Sequence, residues 1–214
     1  ELVSSFRGYA FNKAHSTAYG VEAYQAAWLK HYHPAEFMAA VLTNGKGFYD
    51  PLVYVLECHR LGLRLRPPCI NDPGSGFLVR EGAIRVPVST IKGLSSRLVE
   101  ALLEHRIRHG PFPGLTAFHE TLHPSPDELE LLIRAGACDG LGLSRTALFW
   151  EAQVCRRRHA ETTGNHGWLL APPPLTHSPV LPPAEPTRRE RLEAEAELLG
   201  YPVSGHPLEL HDDI

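Results

Sequence analysis

The chain has 214 residues, a formal net charge of −3 and an apolar share of 43%. That is enough for one good core or two smaller ones, and it carries no excess of positive charge that would argue for nucleic acid by itself. No run approaches the roughly 18 apolar residues of a membrane helix, and no charged-then-apolar leader pattern opens the chain. We therefore expect a cytoplasmic protein with no membrane partner and, from Glu1 in place of Met, a piece of a longer chain. Cys58, Cys69, Cys138 and Cys155 lack C-x-x-C spacing, which points away from a disulfide framework or zinc ribbon and toward buried free thiols. Cys155 and His159 stand one helical turn apart, but no second pair completes a tetrahedral site.

In chain order, the first predicted element lies in "GYAFNKAHSTAYGVEAYQAAWLK", Gly8 to Lys30. Val21, Tyr24, Trp28 and Tyr32 recur at three- and four-residue intervals, which predicts one buried face of a helix starting near Ser16 or Thr17. Asn12, Lys13 and His15 fall at or just before its N-terminus. A lysine opposes the positive end of the helix dipole there, and an anionic ligand would resolve the conflict. A second helix opens at Pro34 with Phe37, Met38, Val41 and Leu42 as its apolar stripe, and a third runs from about Pro51 to Gly62.

"GFLVREGAIRV" alternates about Glu81-Gly82 and predicts one short β-hairpin, the only convincing strand pair. An amphipathic helix follows from Ser95 to His109. Ser125-Pro126-Asp127-Glu128 is a capping box opening a helix through Arg134, and Ser144 caps the next. Between Ala171 and Pro186 seven of sixteen residues are proline, the composition of a semi-rigid spacer. A charged helix from Thr187 to Leu199 leads to "GYPVSGHPLEL", a tail with no core of its own. Ser204 and His206 in that tail lie in a Gly/Pro turn with no orienting acid in the sequence nearby, and we assign no catalysis to them.

Two places carry a more specific signal. Ile91-Lys92-Gly93-Leu94-Ser95 joins a short helix to a longer one as a helix-hairpin-helix does, and Ile133-Arg134-Ala135-Gly136-Ala137 ends one helix before the next begins. Gly93 and Gly136 would supply the positive φ of each turn and leave backbone N–H groups outward as an anion nest. A glycine between two helices also serves as a plain C-cap. Two hairpins some forty residues apart, each with a basic residue just ahead of its glycine, favour a pseudo-symmetric grip on the two strands of a duplex. Between Thr90 and Arg158 nine Lys or Arg face eight Asp or Glu, so binding would rest on few aimed contacts. The two backbone nests, with Lys92 and Arg134 or Arg145, would neutralise about two to four phosphates.

"YAFNKAHSTAYGVEAYQAAWLKHYHPAEFMAAVL" resembles the fingers segment of bacterial C-family DNA polymerases. The likeness continues through "LECHRLGLRLRPPCIN", "IKGLSSRLVEAL", "GPFPGLTAFHE", "LIRAGACDGLG" and "LLGYPVSGHPLEL", covering nearly the whole chain in the family's order. The resemblance implies a mostly α fold in four parts. These are the end of the fingers (1–62), a β-hairpin with a tandem helix-hairpin-helix DNA-binding domain (63–160), a Pro-rich linker (161–186), and a charged helix leading into an OB-fold (187–214).

The resemblance further implies that Asn12, Lys13 and His15 face the triphosphate of the incoming deoxynucleotide, and that Lys92, Gly93, Leu94, Ser95, Arg134, Ala135, Gly136, Ala137 and Arg145 hold duplex DNA. The family's metal-binding aspartates belong to its palm. No such constellation appears here, so magnesium is expected in the palm and no cofactor or catalytic residue in this chain. Ser95 replaces the second glycine usual in the first hairpin, though serine can still donate to a phosphate. Where family members carry a sliding-clamp peptide this chain has Trp168, Leu169 and Leu170 without the leading glutamine. The alternative is a free-standing helix-hairpin-helix scaffold that binds DNA or protein.

Overall fold

The computed structural model describes residues 13–45, 48–163 and 184–210. Helix α1 (Lys13–Tyr32) meets α2 (Pro34–Asn44) at a corner where the His33 amide donates to the Leu29 carbonyl and the Phe37 amide to His33. Pro34 opens α2, and Gly45 closes it with a φ of 55°. Helix α3 (Pro51–Arg60) is capped by Asp50, whose carboxylate accepts from the Leu52 amide at 2.8 Å. Lys30 near the end of α1 pairs with Glu57 of α3 at 2.6 Å.

The expected buried face of α1 is not buried. Val21 is 50% exposed, Tyr24 71%, Trp28 44% and Tyr32 61%, and every residue from His15 to Leu29 is exposed. Periodicity identified the helix correctly, and its start at Lys13 precedes the expected one by a turn. What covers the aromatic face is not among the described residues.

Strands β1 (Arg64–Arg66), β2 (Leu78–Arg80) and β3 (Ala83–Arg85) form a sheet in the order β1-β3-β2. The β2–β3 pair is the expected hairpin, with Val79 opposite Ile84. Its turn puts Glu81 at φ 49° and Gly82 at φ 70°, the two left-handed residues of a type I′ connection. Strand β1, not expected from the sequence, runs parallel to β3 with Leu65 beside Ile84. Three residues are too few to show a period.

A 3-10 turn at Val88–Thr90 leads to α4 (Ser96–His109), α5 (Leu115–Leu122) and α6 (Pro126–Arg134). After a 3-10 turn at Asp139–Leu141 come α7 (Arg145–Thr163) and α8 (Arg188–Leu199). Helix α5 was not predicted. It is eight residues long and its N-cap, Gly114, makes no side-chain bond. The expected capping box forms, Ser125 with Glu128, and a second one, Thr187 with Glu190, opens α8.

One apolar cluster runs from Met38 and Val55 through Ile84, Leu98, Phe118, Leu132 and Leu148 to Tyr201 and Val203. The C-terminal tail therefore borrows the main core. It is held there by Glu195, a fully buried carboxylate that accepts from the Val203 amide at 2.7 Å and the Ser204 amide at 2.8 Å. The Ser204 hydroxyl also donates to Glu195, at 2.5 Å. An acid is thus present beside Ser204, but it fixes a turn. His206 uses its Nδ1 to accept from the Leu208 amide.

Candidate nucleic-acid interface

The first hairpin starts where the Ile91 amide donates to Val88, closing the 3-10 turn. Ile91 is buried and anchors the loop. Gly93 then takes a φ of 89°, and an added Cβ would meet a methyl of Leu131 at 2.9 Å. Among the described residues no group accepts from the Gly93 amide. Ser95, two residues beyond Gly93, caps α4 by accepting from the Leu98 amide at 3.2 Å. Lys92 and Ser95 are exposed and Leu94 half-buried. Arg97, which the motif did not nominate, also stands at this helix start, with its guanidinium 3.9 Å from Glu128.

The second hairpin differs. At the end of α6 the Ala135, Gly136 and Ala137 amides donate back to Leu131, Ile133 and Leu132. All three residues are buried. Gly136 has the expected positive φ, 78°, but the space a Cβ would need is filled by the Arg145 guanidinium and the Asp139 carboxylate. The expected outward nest is therefore absent at this turn, because helix capping uses every amide it needed. Arg145 is only 7% exposed. It bonds Asp139 twice, at 2.9 and 2.8 Å, and donates to the Arg134 carbonyl at 2.9 Å. Its charge fixes the turn and does not face solvent.

Two carboxylates tie the hairpins together. Glu128 accepts from the Ser95 hydroxyl at 2.5 Å, the Ser95 amide at 3.3 Å and the Ser125 amide at 2.8 Å. The N-termini of α4 and α6 thus converge on one anion, which satisfies orphan amides of both and complements both dipoles. Burial alone would raise the Glu128 carboxyl, but the bonds from Ser95 and Ser125 outweigh it and hold the group below its ordinary value. The capping box was legible in the sequence; the bond to Ser95, 33 residues away, was not. The Ser95 hydroxyl, expected to donate to a phosphate, donates to Glu128. The second carboxylate is Glu197 of α8, whose Oε2 lies 2.5 Å from Arg134 and whose carbonyl accepts from Lys92 Nζ at 3.1 Å.

The remaining expected residues lie apart. His15 is exposed, its ring packed edge-on against Tyr19 with centroids 4.4 Å apart. Lys13 opens α1, while Asn12 falls outside the described residues, as do Trp168, Leu169 and Leu170. Twenty residues of helix, about 30 Å, separate Lys13 from the corner with α2. Among the described residues no three His, Cys, Asp or Glu side chains come together to hold a metal ion. No helix among them is long and apolar enough to cross a membrane. The cysteines are free, with Cys58, Cys138 and Cys155 buried.

A helix-hairpin-helix motif matches residues 62–148, the span that holds both hairpins. Over nearly its whole length the chain is also similar to DNA polymerase III subunit alpha. The chain matches one segment of that bacterial family. The relative from Treponema pallidum is 37% identical over 225 residues, 98% of this chain and 19% of the relative. That from Pseudomonas aeruginosa is 35% identical over 99% of this chain and 20% of its own length. The Escherichia coli K12 protein is 37% identical over 97% of this chain and 19% of its own length. The chain therefore spans about a fifth of these alpha subunits. The matched part of this chain includes both hairpins.

Proposed function

We propose that this chain forms the end of the fingers and the tandem helix-hairpin-helix part of a DNA polymerase III alpha-type subunit, acting in DNA replication or error-prone repair synthesis. In this reading it grips duplex DNA without reading sequence, and Asn12, Lys13 and His15 meet the triphosphate of the incoming deoxynucleotide. A sliding clamp would engage Trp168, Leu169 and Leu170. In this reading nucleotidyl transfer belongs to the metal-binding aspartates of the polymerase's palm, where magnesium would be held.

The observation that supports the duplex grip is the first hairpin. It sets the Gly93 amide at φ 89°, the exposed Lys92 and the start of α4 side by side. Such contacts hold a phosphate and ignore the base. Lys92→Ala should weaken binding to every duplex alike and make the salt dependence shallower by about 1 in slope. Fluorescence anisotropy with two unrelated duplexes checks this, with circular dichroism to confirm folding. Unchanged affinity in a folded Lys92→Ala variant would refute the assignment. In a full-length polymerase carrying this segment, Lys13→Ala should impair use of the incoming nucleotide. A nucleotide titration indistinguishable from the parent would remove Lys13 from the proposed role.

A further inference from the structure

We infer that α8 regulates the hairpins, with Glu197 acting as an internal competitor for duplex phosphate. The inference rests on the duplex-binding reading above. One cation from each hairpin ends on this single residue. Arg134 reaches the Glu197 carboxylate at 2.5 Å across 63 positions of sequence, and Lys92 Nζ reaches the Glu197 carbonyl at 3.1 Å across 105. The Lys92 amide also donates to the Leu198 carbonyl, at 2.9 Å. The last carbonyls of a helix lack partners within it and carry the negative end of its dipole, so the C-terminus of α8 is a natural seat for cations. Glu197 adds a full negative charge to that seat.

The arrangement suits a competitor better than a permanent clasp. The Arg134 side chain is 33% exposed and that of Glu197 62%, and solvent-exposed pairs of this kind are weak. They border an open cleft of about 300 Å³ between α6, α7 and α8, lined also by Glu190, Glu193 and Arg191, which leaves Arg134 open to solvent. A DNA phosphate arriving at Lys92 and the Gly93 amide takes Arg134 from Glu197 as its second cation. Until it does, Glu197 offsets the Arg134 charge. Glu197 thus keeps the grip weak.

Glu197→Gln removes the charge, keeps the shape, and leaves the backbone carbonyl that holds Lys92. Measured in the 214-residue chain with a mixed-sequence fluorescent duplex, it should tighten binding about two- to fivefold and steepen the salt slope by about 1. Glu197→Ala should act in the same direction. Glu104→Gln, which breaks the exposed Glu104–Arg108 pair of α4 at 2.8 Å, changes net charge equally away from the hairpins and should leave affinity unchanged. Equal or weaker binding by both Glu197 variants overturns the inference, as does equal tightening by Glu104→Gln. If neither wild type nor any variant binds duplex, the duplex-binding reading itself falls, a result distinct from binding that ignores Glu197.

Discussion

Glu128 holds the N-termini of α4 and α6 to one carboxylate, and the fold depends on it in a way that pH reveals. Its carboxyl lies below the ordinary value of 4.5 in the folded chain. The stability it supplies is therefore complete above that value and is lost as pH falls through the lower, folded value. Glu128→Gln should cost about 1–3 kcal/mol at neutral pH, with a smaller penalty in acid, in urea titrations at several pH values. Equal stability at pH 7 would show that the shared carboxylate is incidental. At this scale the sequence disclosed only local bonds. Ser125 and Glu128 are three residues apart and readable as a capping box, and Gly93 and Gly136 have the positive φ their context required. The partners of Ser95, Arg134 and Arg145 were not legible, because tertiary packing chooses them. It gave Ser95 and Arg134 to carboxylates 33 and 63 residues distant.

Among the elements, helix types and limits followed from caps and period, while the environment of α1 did not. A 3.6-residue apolar period says that a face wants cover; it cannot say what supplies the cover. Lys30 secures only the end of α1, through a Glu57 carboxyl that Arg60 first and Lys30 second hold down to about 2. The rest of a lone helix of 20 residues is marginal in water. Trp28→Ser should therefore change the unfolding free energy of this chain by no more than about 0.5 kcal/mol, whereas Phe118→Ala, in the buried core, should cost about 3–5 kcal/mol. A Trp28→Ser penalty near that of Phe118→Ala, in chemical denaturation, would mean that α1 is packed in this chain after all. The short elements escaped for another reason. Strand β1 has three residues and α5 has eight without a side-chain cap, so neither offers a period or a boundary.

At the scale of the molecule, one core continues from α2 to the tail, and α8 crosses back over both hairpins. The surface proposed to face DNA is thereby reduced to fewer groups than the motif pattern promised. Arg145 is buried, the second turn has no outward amides, and Arg134 shares its charge with Glu197. The polymerase-like chain should also lack chemistry of its own: with magnesium, nucleotides and a primed template the purified chain should extend no primer, and extension would contradict the placement of catalysis elsewhere. The central claim is that a nearly neutral region holds duplex through two or three aimed contacts. Its most direct test is the slope of log K against log salt for the wild-type chain on a mixed-sequence duplex. The expected slope is about −2 to −3, with Kd in the range of roughly 10⁻⁴ to 10⁻⁶ M at physiological salt. A slope of about −6 or steeper, the mark of an extended basic surface, or no measurable binding at all, would contradict it.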